Sequence, residues 1–110
     1  MRVTIGARGV RGEVIPVDGV LVPESLADLL GPTVGVINVP EWAGGITVDM
    51  SDTATVVALY QTVIRHAPDD LSLIWWLDKD ILRMLWPSLR LPAGIRLAWQ
   101  TLHPELADRL

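Results

Sequence analysis

The chain contains no cysteine and no phenylalanine, and only one tyrosine, Tyr60, and one lysine, Lys79, in 110 residues. Without cysteine there can be no disulfide, no zinc–thiolate or iron–sulfur centre and no thiol nucleophile, and the composition fits a reducing cytoplasm. Long apolar runs are missing too: no stretch approaches the roughly 18 uninterrupted apolar residues of a membrane span. The opening MRVTIGARGV lacks the apolar run of a secretory signal. These absences predict a soluble cytoplasmic protein with no membrane partner. Eight of the nine basic residues are arginine, and because arginine codons are GC-rich the expected source is a bacterial or phage genome of high GC content.

Charge of one sign is missing from long segments. Residues 1–12 carry Arg2, Arg8 and Arg11 and no acid. Residues 13–64 carry Glu13, Asp18, Glu24, Asp28, Glu41, Asp49 and Asp52 and no base, and residues 65–110 balance six of each, for a net charge of −4. An acidic half with no local counter-charge repels nucleic acid and suits either solubility or docking onto a basic partner.

Half of the residues are apolar and 20% are charged. A chain of this length is expected to form a single domain over 1–110 and to leave roughly a third of its unfolded surface exposed. Some apolar surface should therefore remain outside, and a contiguous patch would mark a partner or self-association.

The first half, 1–50, reads as strands. Val3, Ile5 and Ala7 alternate with small or polar residues. In EVIPVDGVLVP the Asp18-Gly19 pair between β-branched runs predicts a two-residue hairpin turn, and Pro16 places its strand at an edge or beside a bulge. PESLADLLG predicts a short helix stopped by Gly31, and TVGVINV (33–39) and ITVDM (46–50) predict two strands joined by PEWAGG. The second half, 51–110, reads as helices. One starts at Ser51 or Asp52 and runs to about His66, with Val56, Leu59, Tyr60, Val63 and Ala67 on one face. A second starts at Asp69 and runs through Leu77, a third starts at Asp78 and runs through Trp86, and a fourth opens at Pro92. The expected architecture is α+β: a small antiparallel sheet packed against about four helices.

Large rings concentrate in LIWWLDKDILRMLWPSL. Taken as one helix over 70–86, Ile74, Leu77, Ile81 and Leu85 share a face and Leu71, Trp75, Leu82 and Trp86 an adjacent one, so Trp75 and Trp86 are expected in the core. Trp76 neighbours Lys79, Asp80 and Arg83 at helical spacing, so it is either packed under another element or an exposed interface anchor. A kink or new helix at Asp78 would rotate these faces and bury it. Trp99, in line with Ile95, Leu102 and Leu106, reads as core, and Trp42 in PEWAGG as either a loop anchor or a cover for the sheet.

Chemistry-bearing patterns are thin. GARGVRG spaces its glycines every third residue, which is not a phosphate-cradling spacing, and leads to a strand instead of a helix. It reads as a hairpin loop or a basic arm. His66 and His103 each close a predicted helix, where imidazole suits the negative end of the dipole, and two histidines without cysteine are poor metal ligands. Ser25, Ser51, Ser72 and Ser88 fit caps or helix surfaces, and Asp49/Asp52, Asp69/Asp70 and Asp78/Asp80 coincide with helix starts. No enzyme, cofactor or metal is called for.

Two readings remain. The leading one is a non-catalytic bacterial or phage protein that works through protein–protein contact, of the antitoxin, inhibitor or adaptor type. Its acidic face (Glu13, Asp18, Glu41, Asp49, Asp52) would meet a basic surface, or a second copy, with Trp42 or Trp76 as anchor. The alternative is a transcription regulator that binds DNA through a helix-turn-helix-like C-terminal segment, using Arg83, Arg90, Arg96 and Gln100. The neutral, leucine- and tryptophan-rich helices weigh against it.

Overall fold

Aspartate side chains open three of the four helices in the computed structural model, which describes the backbone of residues 2–8 and 14–109 and the side chains of 20–106. Asp52 accepts from the Ala54 N–H at 3.2 Å, Asp69 from Ser72 at 2.9 Å, and Asp78 from Asp80 at 3.0 Å and Ile81 at 3.1 Å. Each bond satisfies a first-turn donor that the helix itself leaves without a partner. The helices that follow are α1 (Thr53–His66), α2 (Asp70–Trp76) and α3 (Lys79–Leu85). The fourth, α4 (Ala93–Leu102), starts after Pro92, where a missing N–H costs nothing. A 3-10 turn over Trp86–Ser88 carries α3 into Pro87. None of the described helices is long and apolar enough to cross a membrane.

The fold is α+β, with the strands ahead of the helices. The strands form two separate antiparallel pairs instead of one sheet. In the first, β1 (Arg2–Arg8) pairs with β2 (Val14–Leu21), matching Val3 with Val20 and Ile5 with Val17. Asp18 and Gly19 thus stand together opposite Thr4, inside the strand, as a bulge. This corrects the hairpin turn expected there: valines on both sides of the pair continue one ladder with β1. The ladder runs to Arg8 paired with Val14, and most of GARGVRG, expected as a hairpin loop or basic arm, lies at 9–13, outside the described residues. Pro16 sits in a two-stranded ladder, where every strand is an edge.

The second pair, β3 (Val36–Asn38) with β4 (Thr47–Asp49), aligns Ile37 with Val48. Ile37 and Val48 face the core, while Val36, Asn38, Thr47 and Asp49 face out. Between these strands PEWAGG forms a 3-10 turn over Glu41–Ala43, closed by Gly44 at φ 110° and Gly45 at φ 63°, backbone angles that favour glycine. The helix expected in PESLADLLG is a single 3-10 turn over Leu26–Asp28, capped by Ser25. It goes no further because Leu26 and Leu29 enter the core while Leu30 is drawn into a bridge with Asp78.

The core joins the end of β2 (Val20, Leu21) and Val22 to the inner faces of the helices: Leu59, Tyr60 and Val63 of α1, Leu82 and Leu85 of α3, Trp99 of α4. The first strand pair packs on α4 and the second on α1. Trp86 and Trp99 lie with ring centroids 6.0 Å apart, and the Arg96 guanidinium covers the Trp86 ring at 4.8 Å. Both indole N–H groups are buried with no acceptor among the described residues, at a cost of roughly 1–3 kcal/mol each that apolar burial must outweigh. His103 is buried at the end of α4 and its Nε2 lies 2.7 Å from the Pro23 carbonyl oxygen, tying the end of that helix to the chain after β2.

The α2–α3 junction breaks the helical half at two residues. Leu77 (φ −112°, ψ 141°) and Asp78 (φ −109°, ψ 138°) are extended. The Asp78 N–H donates to the buried Tyr60 hydroxyl at 2.9 Å, the Leu30 N–H to the Ile74 carbonyl and the Gly31 N–H to the Leu77 carbonyl, both at 2.8 Å. Gly31 must be glycine for this approach, since a Cβ there would stand 2.6 Å from the Leu77 nitrogen. Burial raises the Tyr60 hydroxyl above its ordinary range, with the nearby Asp78 charge adding to that, against the lowering effect of the Asp78 N–H bond; the phenol stays neutral.

Tyr60→Phe should leave the Asp78 N–H without its acceptor and cost about 1–3 kcal/mol. Gly31→Ala should cost at least as much, about 1–3 kcal/mol or more, because backbone and not a flexible side chain blocks the methyl. Urea unfolding should show lower midpoints with unchanged slopes for both.

Candidate docking surfaces

Hydrogen bonds hold Asp49 and Asp52 at the mouth of α1. The Asp49 carboxylate accepts from the Ser51 N–H at 2.9 Å and the Ser51 hydroxyl at 2.7 Å, and these bonds, the backbone one first, hold its carboxyl below the usual carboxylate range. The Thr55 hydroxyl donates to the Asp52 carbonyl at 2.9 Å. Both acids remain exposed, as does Glu41 in its 3-10 turn. Glu13 and the side chain of Asp18 lie outside the described residues.

Beside these acids a half-open apolar groove of about 160 Å³ runs between the first turns of α1 and the outer side of α3. Its walls are Thr53 and Val56 of α1, Ile81, Met84 and Leu85 of α3, and Thr33 and Met50 from the flanking loops. Met84 is 66% exposed. At 100° per residue, Ile81, Met84 and Leu85 share one side of α3, Asp80 borders it next to Met84, and Lys79 and Arg83 fall on the far side. Composition and pattern reading missed this groove because its walls come from four separate segments. The available signal was the Ile81–Met84 spacing, which leaves methionine at the edge of the core stripe.

A smaller notch of about 120 Å³ lies between Pro23, Glu24, Asp28, Asp70 and Ile74. Glu24 and Asp28 are exposed and make no ion pair among the described residues. On α2 the Asp70–Ile74 row adjoins the Leu71–Trp75 row, since residues four apart stack on one side of a helix.

Trp75 is not core: it is 61% exposed, and so is Leu71. Trp76 is half-buried against the core, and so is Trp42. The physical reason is the break at Leu77–Asp78. It turns Leu73, Leu77, Leu82, Leu85 and Trp86 inward and leaves the Leu71–Trp75 row outside. Trp86 and Trp99 are buried as the sequence predicts.

Two of the three arginines proposed for nucleic acid already have partners within the chain. Arg96 donates to the Trp86 carbonyl at 3.4 Å and to the Leu89 carbonyl, beneath its stacking contact with Trp86. Arg83 lies between Asp80 at 4.0 Å and Glu105 at 3.9 Å. Arg90 is exposed, its backbone N–H donating to Gln61 at 2.7 Å, and Gln100 is half-buried on α4. Among the described residues no group of three or more histidines and acids is placed to hold a metal. No protein-family model, curated protein or solved structure matches this chain.

Asp49 and Asp69 both have carboxyls held below the usual 3.8, Asp69 by the Ser72 hydroxyl first and its N–H second. A depressed folded-state value gives stability that is present above the unfolded value and is lost as pH falls through the folded one. Unfolding midpoints should therefore drop on acidification below 3.8, and the Asp49→Ala/Asp69→Ala double variant should show a shallower drop over the same window.

Proposed function

We propose that this chain works by binding another protein, as an antitoxin, inhibitor or adaptor in a bacterial or phage setting would, and that it performs no chemistry of its own. The observation that carries the reading is the outward row of α2, where Trp75 and Leu71 stand 61% exposed beside the acidic notch. A large ring left in water is unfavourable for the monomer alone, and tryptophan is over-represented among residues that dominate binding energy. The anchor is thus Trp75, in place of Trp76 and Trp42.

The carboxylates of Glu24 and Asp28, together with exposed Glu41, Asp49 and Asp52, favour a partner with a basic surface. Charges spread in this way raise the association rate more than they tighten the final complex. The DNA reading has less support, because Arg96 is occupied by backbone carbonyls and Arg83 by two carboxylates.

Affinity purification from the native host, followed by mass analysis, should recover a partner protein. Trp75→Ala should weaken that complex by about 2 kcal/mol or more while leaving the circular dichroism spectrum and unfolding midpoint near wild type. Added salt should slow association. An unchanged affinity in Trp75→Ala would remove the anchor, and an on-rate indifferent to salt would remove the electrostatic part.

A further inference from the structure

We infer that the groove between α1 and α3 seats a basic segment of a partner protein, which inserts one large aliphatic side chain. The inference rests on the docking reading above and extends it, naming the chemistry of what is bound and a second place where it is bound.

Size comes first. The groove holds about 160 Å³, and an apolar cavity of roughly 150 Å³ accepts a ligand the size of benzene. One leucine or isoleucine side chain is matched to that space, and a whole element is not. Five of its seven walls are apolar: Met50, Val56, Ile81, Met84 and Leu85. Two of these are methionines, whose unbranched, polarizable side chains re-pack around an incoming group better than branched ones do. Met84 is 66% exposed among the described residues.

Charge then selects the occupant. Asp49 and Asp52 bracket Met50 and lead into Thr53, and Asp80 borders the α3 wall with its side chain 77% exposed. The nearest bases in the sequence, Lys79 and Arg83, lie on the other side of α3, and Arg83 reaches toward Glu105 as well as Asp80. Among the described residues Asp49 and Asp52 beside the apolar floor make no ion pair, while Asp80 shares Arg83 with Glu105. Lysines or arginines on either side of an inserted aliphatic residue would meet Asp49, Asp52 and Asp80, whereas an acidic segment would be repelled.

The test uses the full chain and a short blocked peptide with a central leucine flanked on both sides by lysines. Methyl NMR on methionine-labelled protein reads the contact directly. The Met50 and Met84 methyl signals should shift saturably with peptide. Replacing the peptide's leucine by serine, or its lysines by glutamates, should abolish the shift. Met84→Asn, and Asp52→Asn with Asp80→Asn, should each weaken peptide binding by about tenfold or more. Met84 and Asp80 are exposed, and asparagine at position 52 keeps the helix cap, so these variants should fold.

Absence of a saturable shift, equal binding of the glutamate peptide, or affinities untouched by these substitutions would each overturn the inference. The two readings fail separately, since Trp75→Ala should leave peptide affinity unchanged. Loss of the native complex in Trp75→Ala with no peptide binding overturns the groove alone. Peptide bound at the methionines with a native complex insensitive to Trp75→Ala overturns the tryptophan anchor alone.

Discussion

The hydrogen bond from the Asp78 N–H to the hydroxyl of buried Tyr60, 2.9 Å long and itself part-buried, fixes where the helical half bends. Two extended residues separate α2 from α3, and a chain that leaves helical geometry inside a protein must find new partners for its backbone groups. Tyr60 supplies one acceptor. The strand-like segment at Leu30–Gly31 supplies two donors, to Ile74 and Leu77. It can come this close only because residue 31 has no side chain. Elements from both halves of the sequence thus meet at one junction. Everything outward of it inherits its orientation, including which tryptophan meets water and where the α3 wall of the methionine groove lies.

Aspartates do much of the local work in the acidic chain. Asp52, Asp69 and Asp78 each spend a carboxylate oxygen on first-turn N–H groups, and Asp49 on Ser51. These bonds stabilise the helix starts, where the dipole favours negative charge as well. They also hold Asp49 and Asp52 beside the groove without removing their charge from solvent. The basic side chains do the opposite. Arg96 is drawn inward to two carbonyls and an indole face, and Arg83 is shared between two acids. Among the described residues Asp49 and Asp52, beside the apolar walls, are left without an ion pair.

Helix starts were legible because capping is local: an aspartate, its extended backbone and the N–H two or three residues on are neighbours in sequence. The α1 face of Val56, Leu59, Tyr60 and Val63 was legible for the same reason, since periodicity needs no distant information. Legibility ended where a distant segment decides. Asp18-Gly19 has the chemistry of a turn, yet pairing with β1 makes it a bulge. Trp75 sits on a plausible core stripe until Leu77 and Asp78 go extended, and the reason they do lies at Tyr60 and Gly31. The groove between α1 and α3 draws on Thr33, Met50 and both helices together, and no single window of the sequence contains it.

Emission from the individual indoles tests this account most directly. Trp75→Phe and Trp76→Phe would be compared by acrylamide quenching and by the wavelength of maximum emission. With the bend in place, Trp75→Phe should remove the red-shifted, quencher-accessible component, and Trp76→Phe should leave it intact. If Trp76→Phe removes that component while Trp75→Phe does not, the helix runs on through Asp78 and the surface described here is on the wrong face.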